Sequence, residues 1–149
     1  KHYPDASYIN QGMRAFLVEI LDKTGKPITL PHTGLELNHT SEYNFEFHRA
    51  PQQKSIRLHF PVLPGVKVNL ESIQFRSLDS EKIFSANEFV MLPKTGYITS
   101  ESEFLNTSMA GDIITLIPRD GQFPRSDTIR LRMKFSRLPV FSGRECLNR

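Results

Sequence analysis

The chain predicts an all-β fold, an antiparallel β-sandwich of jelly-roll type with at most one short helix. Three observations carry the prediction. Short apolar runs alternate with polar residues at a period of two. Ten prolines and eight glycines punctuate those runs. No long amphipathic helix separates one strand-like run from the next, which argues against an α/β arrangement. About eight or nine strands are expected, at a spacing of roughly 8 to 15 residues.

Taken in order, "MRAFLVEIL" (Met13 to Leu21) reads as a strand, and "DKTGKP" as the turn after it, with Asp22, Gly25 and Pro27 in hairpin order. "TGLELNHT" reads as a short strand running into a polar loop. In "YNFEFHRA", Tyr43, Phe45 and Phe47 fall on one face and Asn44, Glu46 and His48 on the other. The longest patterned stretch is "KSIRLHFPVLPGVKVNLESIQFRSL", from Lys54 to Leu78. Ile56, Leu58, Phe60 and Val62 line one face there, and Ser55, Arg57 and His59 the other. A Pro-Gly corner follows. Beyond it, Val66, Val68 and Leu70 are apolar at even positions, but Ile73 and Phe75 at odd ones. A one-residue slip at Glu71 and Ser72 accounts for the switch, so a β-bulge is expected there. The segment is thus predicted to form two core strands of a twisted sheet.

"EKIFSANEFVML" is ambiguous: Ser80 to Phe89 suits either a short helix or a bent edge strand. "PKTGYITS" is a turn followed by a strand, and "GDIITLIPRDG" an apolar strand. In "DTIRLRMKF", Ile129, Leu131, Met133 and Phe135 point inward and Arg130, Arg132 and Lys134 outward. No repeat or linker divides the 149 residues, which are expected to form one domain, excised from a larger protein.

Composition narrows the function. The longest apolar run falls well short of the roughly 20 residues that span a bilayer. Cys146 is the only cysteine, so no disulfide can form within the chain. Asn38 and Asn106 head N-x-[ST] sequons. The net charge of +3 is uneven, because residues 119–149 hold eight basic and three acidic side chains. Such asymmetry suits contact with an anionic partner, or a solvated strand face. Motifs for serine hydrolases, zinc proteases, P-loops and dinucleotide folds are absent, and Cys146 has no predicted base near it. The histidines (2, 32, 39, 48 and 59) show no zinc-ligand spacing, although His48 and His59 become neighbours if their strands pair. Glu42, Glu46, Glu101 and Glu103 are the carboxylates from which a glycosidase pair would have to come. No catalytic residue, metal or cofactor is expected.

The basic stripe of Arg130, Arg132 and Lys134, with Arg57, His59 and Arg76 on other strands, is the candidate ligand-binding surface. Nucleic acid is not its expected partner, because the aromatics that bases would stack on alternate to the opposite, buried face. Tyr3, Tyr8, Tyr97 and Phe123 fall in loops or near strand ends, as packing residues or sugar platforms.

The aromatic strand "YNFEFH", then "KSIRLHFPVLPGVKVNLESIQFRS" with its arginine strand, proline corner and "IxFxS" ending, resembles a known group of domains. These are the jelly-roll, carbohydrate-binding-module-like β-sandwiches of bacterial membrane glycosyltransferases and polysaccharide-assembly proteins. The resemblance covers Tyr43 to Leu78. It implies a non-catalytic accessory domain on the outer side of a bacterial membrane, tethered through a flanking membrane domain of the same chain. It also implies a glycan or anionic cell-surface component as partner. The other expectation is a protein–protein interaction or structural module, such as an adhesin, phage or secretion-system domain, whose exposed sheet or edge meets its partner.

Overall fold

A computed structural model describes residues 16–32, 36–60, 66–94, 97–100, 102–106 and 112–137. The strands within them are β1 (Phe16–Leu21), β2 (Pro27–His32), β3 (Thr40–Ala50), β4 (Ile56–Phe60), β5 (Val66–Arg76), β6 (Glu81–Ser85), β7 (Phe89–Pro93), β8 (Tyr97–Ser100), β9 (Glu103–Asn106), β10 (Asp112–Pro118) and β11 (Ser126–Arg137). The fold is all-β, as the alternation requires. The ambiguous stretch after Ser80 resolves into β6, one turn of 3₁₀ helix at Ala86–Glu88, and β7. Of "TGLELNHT", residues 33–35 lie outside the described residues. Leu37 makes only an isolated bridge to Phe135, so the predicted short strand reduces to that contact.

The strands form two antiparallel sheets. One has the order β2-β1-β4-β10-β7, the other β3-β11-β5-β9-β8, with β6 paired to the far part of β5. The pairing is nested: β3 with β11, β4 with β10, and β5 with β9. A long hairpin folded over in this way is what makes the sandwich jelly-roll-like. Most inward residues come from the periodicity of two. In β4 the buried residues are Ile56, Leu58 and Phe60, and in β11 Ile129, Leu131, Met133 and Phe135. Phe123, in a connection, is fully buried, stacked on Phe75 at 5.0 Å and edge-on to Phe84 at 5.1 Å.

The bulge lies where the parity switch puts it. Arg132 pairs with Ser72 and the next residue, Met133, with Leu70, so Glu71 is the extra residue. It also marks a change of partner: Val66–Asn69 pair with β9 and Ser72–Arg76 with β6. The prediction of two strands in one twisted sheet is corrected. β4 and β5 lie in opposite sheets. Inward alternation reads the same in either arrangement, which is why the pattern could not separate them.

β2 and β3 are both end strands, one in each sheet. Pro27 and Pro31 leave β2 without a full set of amide donors, which blunts that edge against strand addition.

Candidate functional site

The sequence-predicted binding residues divide between the two outer faces of the sandwich. Arg57 and His59 lie on β4 and flank Glu19 of β1, which is paired in register with Arg57. The Glu19 carboxylate takes Arg57 Nη1 at 3.3 Å and His59 Nε2 at 3.0 Å, and its side chain is only 12% exposed. Arg130, Arg132 and Lys134 lie on β11 in the other sheet. Arg130 donates from Nε to Asn44 Oδ1 at 2.6 Å and pairs with Glu42 at 3.3 Å. Arg132 pairs with Glu42 at 3.3 Å and with Glu71 at 3.6 Å, so the bulge residue serves this arginine. Lys134 lies opposite Thr40 and Asn69 and makes no ion pair among the described residues. Two groups on opposite faces do not make one site, and most of their charge is matched by neighbouring carboxylates.

His48 and His59 are not neighbours, because β3 and β4 belong to different sheets. Among the described residues, no group of three or more His, Cys, Asp and Glu side chains could hold a metal ion. Cys146, Tyr3, Tyr8 and Glu101 lie outside the described residues. Of the remaining carboxylates, Glu42 is held by two arginines, and Glu103 by Lys67, Asn69 and Thr99. Glu42 and Glu46 are four positions apart on one strand, roughly 13 Å along its axis. That exceeds the roughly 5 to 9.5 Å separation at which carboxyl pairs hydrolyse glycosides.

A cleft of about 550 Å³ opens at the side of the sandwich where β2 and β3 are the end strands. Ile20, Ile28, Leu30, Phe47, Ala50 and Pro51 supply its apolar lining, and Asp22, Lys23, Thr24, Glu46, His48 and Arg49 its polar lining. Two local devices build it.

The first is the β1–β2 turn. Asp22 Oδ1 accepts hydrogen bonds from Thr24 N at 2.8 Å, Thr24 Oγ1 at 2.7 Å and Lys26 N at 2.9 Å. Gly25 supplies the left-handed residue that closes the turn, at φ 85°. The Thr24 hydroxyl, followed by the Lys26 amide, holds the Asp22 carboxyl below the usual aspartate range.

The second device is a bulge in β3. Ser126 pairs with Ala50 but Thr128 with Glu46, so Phe47, His48 and Arg49 face the single residue Asp127. Arg49 takes a left-handed backbone, φ 51°, and its amide donates to Asp127 Oδ1 at 3.2 Å. Alternation breaks here: Phe47 and Ala50 are buried while both His48 and Arg49 are exposed. The bulge therefore delivers two adjacent polar side chains to the cleft.

Gln53 ties the two devices together. Its buried side chain accepts from Leu21 N at 2.9 Å and donates to Leu21 O at 2.8 Å and Pro51 O at 3.0 Å.

Sequence reasoning missed Lys23, Arg49 and Gln53. A signal for Arg49 was present: the apolar positions pass from odd (Tyr43, Phe45, Phe47) to even (Ala50), the same switch that revealed the bulge at Glu71. Ala and Pro are too weakly patterned to make it conspicuous. No family model, curated protein or solved structure matches the chain.

Proposed function

We propose that this protein is a non-catalytic recognition domain in a membrane-associated system handling cell-surface polysaccharide or lipid-linked sugar, acting outside the cytoplasm, with the cleft between the β1–β2 turn and β3 as its sugar seat. The observation that carries the reading is the composition of that cleft. A sugar offers an apolar C–H face and a rim of hydroxyls that both donate and accept. Ile28, Leu30 and Pro51 meet the first requirement. Glu46 as acceptor, Lys23 and Arg49 as donors, and the Thr24 hydroxyl meet the second. The volume falls within the roughly 300 to 1,000 Å³ of small-ligand sites. The jelly-roll pairing and the resemblance of Tyr43 to Leu78 to accessory domains of polysaccharide assembly support the setting. Recognition would work by positioning: the rigid sandwich holds the rim, and the bound glycan is presented to a neighbouring catalytic or transport domain.

The test is titration of ¹⁵N-labelled protein with a panel of neutral and acidic oligosaccharides. Amide shifts concentrated at residues 22–24 and 46–50 are expected. Silence across the panel would overturn the glycan reading and favour the interaction module. Shifts centred on Arg130 and Arg132 would move the seat to the face of β11.

A further inference from the structure

We infer that the cleft contains a carboxylate subsite at Arg49, flanked by Lys23 and His48, so that the preferred ligand is an acidic saccharide of uronate type. This inference rests on the glycan reading of the cleft.

The first argument is that, among the described residues, the two cations of the cleft are unmatched, as Lys134 on β11 also is, whereas five others are matched by carboxylates. Arg57 is matched by Glu19, Arg76 by Glu81, Arg130 and Arg132 by Glu42, and Lys67 by Glu103. The Arg49 guanidinium and the Lys23 ammonium have no ion pair or side-chain hydrogen bond among the described residues, although both line the same cavity. Asp22 makes no ion pair with either of them among the described residues, and its Oδ1 takes three donors of its own turn. Glu46 is the one other acid of the lining, and it too makes no ion pair among the described residues; it is the natural acceptor for sugar hydroxyls.

The second argument is the backbone at Arg49. A bulge residue with φ 51° is served at least cost by glycine or asparagine. Among the described residues, the hydrogen bond this arginine donates is from its backbone amide to Asp127, which glycine would donate equally. A strained conformation kept for a side chain without an internal partner points to an external one. The planar guanidinium fork matches a carboxylate with two parallel hydrogen bonds, and Lys23 adds a compact charge beside it.

The experiment compares D-glucuronate, D-glucose and acetate, titrated into ¹⁵N-labelled wild-type protein and Arg49→Gln at constant pH and ionic strength. Glucuronate is expected to shift the amides of Lys23, His48 and Arg49 and to bind more tightly than glucose. Arg49→Gln should weaken glucuronate binding about 10-fold or more, the scale of a lost charge-assisted hydrogen bond, with little effect on glucose and unchanged spectra away from the cleft. If glucose moves the cleft amides and glucuronate binds no more tightly, the carboxylate subsite is wrong and the sugar seat survives. If acetate and glucuronate bind alike through Arg49 while glucose is silent, the subsite stands and the saccharide reading fails. No shift with any of the three overturns both.

Discussion

The side chain of Gln53 acts as a sheet neighbour for Leu21. It accepts from the Leu21 amide at 2.9 Å and donates to the Leu21 carbonyl at 2.8 Å, across 32 residues of sequence. Leu21 is the last residue of β1, where the β1–β2 turn leaves the sheet, and Gln53 itself pairs through its backbone with Phe123. One buried amide thus fixes the turn side of the cleft to the core. Gln53→Ala should cost about 1 to 3 kcal/mol by leaving both groups of Leu21 without that partner. Denaturant unfolding followed by circular dichroism would measure it, and a change below about 0.5 kcal/mol would show that Leu21 is satisfied otherwise.

Arg49 gives a prediction of opposite sign. Replacement by glycine removes a left-handed non-glycine residue, worth about 1 to 2 kcal/mol. It also adds freedom to the unfolded chain, worth about 0.4 to 1 kcal/mol. Arg49→Gly should therefore leave stability unchanged or raise it by up to about 1.6 kcal/mol while weakening ligand binding. A clear loss of stability would mean that the side chain supports the fold.

At the second bulge, Glu71 is an exposed extra residue that neither the core nor the ladder with β11 requires. Glu71→Ala removes a surface pair with Arg132 and should change stability by no more than about 0.5 kcal/mol. Deleting the residue leaves Leu70 and Ser72 adjacent, opposite Met133 and Arg132, and restores unbroken alternation from Val66 to Phe75, so cooperative unfolding should be kept. Loss of cooperative unfolding in the deletion variant would contradict the assigned register.

The aromatic core offers a pair of controls. Phe123→Ala empties a fully buried site between Phe75 and Phe84, and should cost about 3 to 5 kcal/mol. Leu78, 96% exposed, should tolerate alanine within about 0.5 kcal/mol. Equal effects at the two positions would refute the inside–outside assignment.

Two turns set an acid limit. Asp22 is held below the usual aspartate range chiefly by the Thr24 hydroxyl, and Glu88 below the usual glutamate range by the amide and then the hydroxyl of Ser85. Each carboxyl binds its proton more weakly in the folded state than in the unfolded one. Their contribution is complete above the unfolded values, about 4, and is lost as pH falls through the lower folded values. Asp22→Asn together with Glu88→Gln should flatten the acid side of the stability profile while leaving neutral stability less affected. An unchanged acid slope would assign it to other groups.

How much of this was legible beforehand differs by level. The inward residues of β3, β4 and β11, the turn at Asp22 and the bulge at Glu71 all follow from local parity and turn chemistry. That the two halves of Lys54–Leu78 separate into opposite sheets does not, because an inward-facing residue obeys the same pattern whichever sheet it serves. The site was legible in the same measure. Outward cations on β4 and β11 are correctly placed, but Glu19, Glu42 and Glu71 are distant in sequence, so their neutralising role is visible only in space. Gln53 carries no periodic signal at all, since its importance lies in reaching a strand end 32 residues away.

The nested pairing of strands bears on how the molecule comes into being. Asn44 and Arg130 meet across 86 residues, and among the described residues β3 has no sheet partner other than β11. During synthesis β3 therefore emerges well before β11 and waits for it, with Tyr43, Phe45 and Phe47 lacking that neighbour until β11 has been made. Closing so long a loop is entropically costly, and topologies dominated by distant contacts fold in roughly milliseconds to seconds. β3 can then join the six-stranded sheet only after β11, whereas β5, β6, β8 and β9 can pair with one another before it. A chain halted before Ser126 would expose the apolar side of β3 to chaperones or to other nascent chains.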